Sequence, residues 1–439
     1  MGLLEVVIIA RDNLSIKTIY HIGVARKLSM VAKNSIFNSV LIVGCVIILI
    51  SFAIRSSFGV FQIPIAEEFN WLRSEFSLAI AIQNLAWGIG QPIFSAIAEK
   101  IGDRRAIILG GFTYAFGLLL SSAAVTPQAH QIYEILVGFG VAGTGFGVIL
   151  AVVGRASSEQ NRSMSLAIAT ASGSAGQVLG APIGELLLNY MPWQSVFLIF
   201  SITILSTLLL LPFMRVSVAD TQRHVTQSMR DLVGKAVVDP SYSMIFLGFF
   251  SCGYQLGFLT AHFPAFVTEM CNPILPTTAI YNLGITSTSA LGAISISLIG
   301  LANIAGTLGA GYLGKTYSKK YLLSSIYFGR TMVCTVFILA PITPISVVLF
   351  SLLMGSLWLA TVPLTSGLIA QIYGLRYMGT LYGIVFFSHQ LGGFTGIWLG
   401  GRLYDVYGNY NLVWWIGIAV GAFSALVHLP IREQQKSWV

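Results

Sequence analysis

The strongest constraint on this chain is a long-period repeat. Residues 95–104 read Ser-Ala-Ile-Ala-Glu-Lys-Ile-Gly-Asp-Arg, and 216 positions later residues 311–320 read Gly-Tyr-Leu-Gly-Lys-Thr-Tyr-Ser-Lys-Lys. Each is a short basic turn between two long apolar runs. The same step carries Gly176, Gly180 and Gly184 onto Gly392, Gly396 and Gly400. A repeat of this length sets the architecture before any local pattern does, because each copy must build the same elements. Parallel repeats of six spans enclose a site at mid-membrane depth. The chain therefore reads as an all-α membrane protein made of two copies of one bundle.

Composition agrees. Hydrophobic residues make up 55% of the chain, charged residues 9%, and mean hydropathy is +0.81, whereas soluble domains carry about 25% charge. A helix needs roughly 20 apolar residues to cross a bilayer. Twelve segments qualify, at 36–63, 75–98, 105–125, 131–153, 163–188, 193–213, 241–268, 290–314, 320–340, 344–372, 378–403 and 411–430. They are long and continuously apolar, without the alternation of barrel strands. The expected organisation is an extension over 1–35, a six-helix half over 36–213, a linker over 214–240, a second half over 241–430 and a tail over 431–439.

The net charge of +8 would suggest nucleic acid in a soluble protein. Its distribution points to a bilayer instead. With the N-terminus inside, 20 of the 24 Lys and Arg fall in inner segments, leaving Arg55, Arg73, Arg330 and Arg402 for outer loops or membrane depth. This bias places both termini in the cytoplasm, and in a bacterium the protein would sit in the cytoplasmic membrane. Cys45, Cys252, Cys271 and Cys334 have neither metal-ligand nor disulfide spacing. The first 34 residues hold no secretory signal pattern, and a start at Met30 is equally compatible with the sequence. No phosphate-binding glycine loop, zinc site or nucleophilic triad is present, so no enzyme activity, cofactor or metal is expected.

At the repeated turn the sequence resembles a family. The pattern Gly-x-x-x-Asp-Arg/Lys-x-Gly-Arg-Arg/Lys is the signature of the major facilitator superfamily, and this chain supplies Ser95, Glu99, Lys100, Gly102, Asp103 and Arg104 in its place. Ser95 stands for glycine, Glu99 for aspartate, and Asp103 for a basic residue. The second copy keeps Gly311, Lys319 and Lys320 but has Lys315 where the acid belongs. Phe58-Gly59-Val60-Phe61, Glu68 to Ser77, Ser388 to Gly393 and Gly400 to Asp405 resemble the monocarboxylate porter and oxalate/formate antiporter branches. The resemblance implies a twelve-helix major facilitator fold and transport, with the basic turns as the inner gate. It does not imply a substrate.

Ionisable groups inside spans are the first functional candidates, since a buried guanidinium costs about 2.5 to 3.5 kcal/mol on insertion scales. Arg55 lies two-thirds along the first span, with Gln62 following. It reads either as a carboxylate-binding fork or as the partner of Glu67, Glu68 or Glu75. Arg330, midway through the ninth span, reads as a second anion ligand or as a structural residue. Gln255, Phe258 and His262 form a stripe expected to face the cavity. Asn84, Asn303, Trp358 and His389 mark further polar positions, and Arg402 with Asp405 is expected to form a rim ion pair. No Asp or Glu falls near the middle of any span, with Glu134 and Glu185 placed near ends. That disfavours proton coupling through a buried carboxylate and leaves His262 or His389 as proton carriers.

The sequence thus points to a monomeric secondary transporter that moves a small organic anion, a monocarboxylate or dicarboxylate, by alternating access as a symporter or antiporter. The alternatives are an exporter of a drug-like or siderophore-like amphipathic compound and, in another class, a membrane sensor built on a transporter scaffold.

Overall fold

The computed structural model describes residues 37–157, 162–214, 229–374 and 378–437, and their regular structure is helical throughout. The extension over 1–35 and most of the linker lie outside the described residues. The first half comprises spans Ser39–Phe69, Arg73–Ile101, Asp103–Ser122, Pro127–Ala156, Arg162–Leu188 and Trp193–Phe213. The second comprises Pro240–Met270, Thr288–Leu313, Lys319–Leu339, Pro344–Tyr373, Met378–Tyr407 and Asn411–His428. These are the expected twelve, with ends shifted by a few residues. Before the seventh span lies a short linker helix, Met229–Val237.

Among the described residues, nine of the spans are long and apolar enough to cross a membrane by themselves. The other three are the second, fifth and eleventh. The second packs on the eleventh across the two halves, and the fifth packs on the eighth. Surfaces turned toward the opposite half are shielded from lipid, so Gly, Ser, Asn and Gln there need not be replaced by apolar residues. Elsewhere the outer surface is apolar, with Phe112, Phe116, Ile202, Leu209, Val336 and Leu349 all exposed. On a protein in water this would be a liability, and in a bilayer it is the solvent-facing surface.

Helix ends follow local chemistry. Asn38 accepts from the Leu41 amide at 2.8 Å. Thr126 and Asp239 cap helices that begin with Pro127 and Pro240, where a missing N–H costs nothing. Gly102, at φ +97°, reverses the chain between the second and third spans. Three spans are interrupted. The first tightens into a 3-10 turn over Phe58–Phe61, the fourth breaks at Gly145, and the tenth breaks between Ser356 and Thr361.

The repeated glycines show that the duplication is physical. A Cβ on Gly176 or Gly180 would strike the carbonyls of Leu49 or Ala53 on the first span. On Gly392 or Gly396 it would strike those of Phe250 or Tyr254 on the seventh. In both halves the fifth helix of the repeat lies backbone to backbone on the first, an approach that only glycine permits.

The two faces of the bundle differ. Asn38 binds the end of the fourth span, Arg104 the end of the sixth and Lys320 the end of the twelfth; this side is the linker face. On the opposite, far face the halves are joined by Arg73 with Glu269, by Asp405 with the Arg73 and Ser74 amides, and by Ser289 with Glu185 at 2.6 Å. Toward the linker face the half-helices Phe146–Ala156 and Thr361–Tyr373 pack on spans of their own half. The structure is closed at the far face.

Candidate functional site

Arg55 sits where the two halves meet. Its Nη2 donates to Asn84 Oδ1 at 2.8 Å, and its guanidinium lies 4.8 Å from the Trp87 ring centroid. Asn84 is held in turn, since its Nδ2 donates to the Ile80 carbonyl at 3.1 Å. From the second half, Gln390 Nε2 donates to the Asn84 carbonyl at 3.3 Å. A small cavity of about 10 Å³, roughly the room of one water, is lined by Arg55, Phe58, Gln83, Asn84, Thr260 and Ile397 among others. Residues of both halves therefore enclose it.

The alternative of an Arg55–carboxylate pair fails. Glu68 accepts from Trp193 Nε1 at 2.6 Å and Gln194 Nε2 at 2.8 Å, and Glu75 accepts from the Leu72 amide at 2.8 Å. Among the described residues no ion pair includes Arg55.

Gln62 and His262 do come together, but as a seal beyond the cavity. Gln62 Nε2 lies 3.0 Å from His262 Nδ1, and His262 Nε2 lies 2.7 Å from the Ile397 carbonyl. With Nε2–H donating to that carbonyl, Nδ1 accepts from the amide, which specifies a neutral tautomer. Tyr410 OH completes the group at 3.4 Å from Nδ1. Around it, Arg73 pairs with Glu269 and lies over the Tyr404 ring at 3.9 Å, and Tyr404 OH also reaches Glu269.

The seventh-span stripe does not face the cavity as a unit. Gln255 Nε2 donates to the Gly417 carbonyl at 2.9 Å, and Phe258 packs edge-on against Trp414. Both point to the twelfth span of their own half; only His262 reaches the first. Helical spacing identifies a common face but not which neighbour that face meets.

The remaining predicted ligands are dispersed. Asn303 is buried, with Nδ2 donating to Ser174 Oγ across the halves at 3.0 Å and Oδ1 accepting from the Leu359 amide at 2.9 Å. It thereby satisfies a backbone donor at the break in the tenth span. Trp358, in that break, packs into the core. His389 stacks on Phe386 at 5.6 Å, with Nδ1 2.9 Å from Gln390 Oε1. Phe386 packs on Trp87 at 5.3 Å, so His389 lies one aromatic layer from Arg55. Arg330 is 0% exposed and does not line the Arg55 cavity.

At the linker face each basic turn braces its own half. Arg104 Nε donates to the Met214 carbonyl at 2.6 Å, and Asp103 pairs with Arg155 at the end of the fourth span. Asp103, the departure from the family pattern, thus has a specific partner. Ser95 Oγ donates back to the Gln91 carbonyl at 3.0 Å, and Gly311 has open space where a Cβ would stand. Lys319 Nζ reaches Gln371 at 2.8 Å, while Lys320 Nζ reaches the Leu429 carbonyl at 3.1 Å. The side chains of Glu99 and Lys100 lie outside the described residues.

Two features were missed from sequence. Glu134 is fully buried, with Oε2 accepting from Gln83 Nε2 at 2.6 Å and Oε1 from Ser121 Oγ at 3.0 Å. Its place near the helix end was expected, but its complete burial was not. The fourth span begins at Pro127 and is covered at Glu134 by the second and third spans, so distance from the helix end did not measure burial. Secondly, Asp405 does not pair with Arg402. It accepts from the Arg73 amide at 3.0 Å and the Ser74 amide at 2.9 Å, capping the second span from the opposite half. Only the fold brings that helix terminus within reach.

Comparison with known proteins adds a family and a fold. The sequence model of a family described as the Major Facilitator Superfamily matches residues 43–397. An uncharacterized MFS-type transporter, YcxA of Bacillus subtilis (strain 168), is 28% identical over 396 residues, covering 87% of this chain and 92% of that protein. Monocarboxylate transporter 13 of Bos taurus is 25% identical over 424 residues, covering 91% and 89%. Among solved structures, a D-xylose-proton symporter superposes with a TM-score of 0.68 at 16% identity, over 91% of this chain and 99% of that one.

Proposed function

The chain belongs to the Major Facilitator Superfamily, and from that premise we propose that this membrane transporter carries a small organic anion, a monocarboxylate or dicarboxylate, with Arg55 as the carboxylate-binding fork. The observation that carries the reading is the Arg55 guanidinium itself, which lies between the halves and has an amide oxygen at 2.8 Å in place of an acid. A charge so placed repels cations and leaves its parallel donors for a planar carboxylate. A relative named as a monocarboxylate transporter, aligned over 91% of this chain, supports the same class.

Transport then follows from the geometry by alternating access. With the far face sealed, the Arg55 layer would load or release cargo through the linker face once the halves part there. Parting Gln62 from His262 and Arg73 from Glu269 would open the far face, while the backbone-tight pairing of first with fifth and seventh with eleventh spans keeps each half rigid as it turns. The basic turns brace the two halves at the linker face through these motions. Both termini are assigned to the cytoplasm by the charge bias.

Uptake of labelled carboxylic acids into proteoliposomes tests the proposal. Arg55→Lys should weaken cargo binding by about 1.5 to 3 kcal/mol, the worth of a hydrogen bond to a charged group, and Arg55→Ala by more. Normal transport by Arg55→Ala, or a cationic cargo, would overturn it.

A further inference from the structure

We propose that the second half holds a resident small inorganic anion of halide size, chloride being the common example, seated on Arg330. This site is separate from the cargo site and does not depend on the identity of the cargo.

The argument is one of charge and hydrogen-bond balance. Arg330 is 0% exposed at the centre of the ninth span. Its Nη1 donates to Cys252 Sγ at 3.3 Å, and the Tyr327 ring centroid lies 5.8 Å from Cζ. Nε and Nη2 meet no acceptor. These two nitrogens form one edge of the guanidinium, where two N–H bonds run nearly parallel, the arrangement that grips an anion bidentately. A buried ion without a counter-charge is among the most expensive features a protein can carry. A thiol and a distant ring face do not offset it.

No acid of this half can supply the balance. From Pro240 to the C-terminus the chain has three, Glu269, Asp405 and Glu433. Glu269 pairs with Arg73, Asp405 caps the second span, and Glu433 accepts from the Lys320 amide at 2.7 Å. All three lie at helix ends or in the tail. With no carboxylate of this half beside it, the counter-charge is assigned to an ion from outside the chain, and the complete burial of Arg330 among the seventh, ninth and tenth spans restricts that ion to a small one. Cys252 Sγ, itself 3.4 Å from Thr361 Oγ1, occupies Nη1 and leaves the Nε–Nη2 edge for the ion.

A monovalent anion here would lock the three spans together and neutralise Arg330, while Arg55 awaits cargo. Such a site should appear as halide-dependent stability. The purified full-length protein is heated in chloride, in bromide and in gluconate at equal ionic strength, gluconate being too large for the seat. A midpoint at least about 2 °C higher in the halides is expected. Arg330→Met, which removes the charge and fills the space with apolar atoms, should erase the difference, and Arg330→Gln is the second variant should methionine disturb folding. Arg55→Gln should keep the difference, which separates this site from the cargo site. Equal midpoints for the unaltered protein in chloride and gluconate would overturn the proposal. So would a halide response that survives loss of the Arg330 charge, or one that disappears in Arg55→Gln. A response that appears only in Cys252→Ser would do so too, by showing that the sulfur itself carries the counter-charge.

Discussion

Replacing Asn84 with Asp places a carboxylate where an amide oxygen now lies 2.8 Å from Arg55 Nη2. The two side chains have nearly the same shape, so packing around the second span is preserved while the charge of the site changes from positive to neutral. Two unit charges about 4 Å apart attract by about 4 kcal/mol at an effective dielectric of 20. Desolvation of the new carboxylate, together with its repulsion from the Ile80 carbonyl that Asn84 Nδ2 now contacts at 3.1 Å, offsets up to about half of this. An internal carboxylate favoured by about 2 to 4 kcal/mol competes directly with a carboxylate cargo. Apparent affinity should fall between about 30-fold and several hundred-fold, at about 1.4 kcal/mol per tenfold. Asn84→Ala has the opposite logic, since it releases Nη2 and should leave affinity unchanged or improved. The assay is concentration-dependent uptake of labelled acids into proteoliposomes by both variants, with circular dichroism as a check on folding. Retention of the original KM within about threefold by Asn84→Asp would refute the role of Arg55 as the anion fork. Equal losses in both variants would show Asn84 to be structural instead.

Gly59→Val should hinder closure of the far face, because a side chain there meets the Thr260 carbonyl, Pro264 at 3.2 Å and the Ala261 carbonyl at 3.3 Å; alkylation of a cysteine introduced at Thr260 should speed up as turnover falls. Glu134→Ala leaves Gln83 Nε2 and Ser121 Oγ without their acceptor in the core, at a cost of about 1–3 kcal/mol for each donor, seen as a lower thermal midpoint. Glu134→Gln should cost less, since Gln83 can rotate its amide to restore the pairing. Gly102→Val meets no neighbour but forces a branched residue to φ +97°. It should slow turnover more than it weakens cargo binding, measured as a fall in kcat at nearly constant Kd.

Sequence alone determined the class and the duplication, because both rest on patterns the chain must carry along its length. A span must be apolar over some 20 residues wherever it packs, and Gly176, Gly180, Gly392 and Gly396 keep their register because two backbones touch there in each half. Arg55 was legible for the same reason, as a charge in a segment that should have none. Which side chains share a site was not legible. Gln255 and His262 lie on one helix face, yet one meets Gly417 of its own half and the other Gln62 of the opposite half. Glu134 looked peripheral by position and is enclosed by two neighbouring spans, while Asp405 finds its partners in Arg73 and Ser74, more than 300 residues away. Periodicity fixes the direction of a side chain relative to its own helix axis. What it meets there depends on the rotation and depth of neighbouring helices, which are set by packing among all twelve spans and by nothing local to the residue.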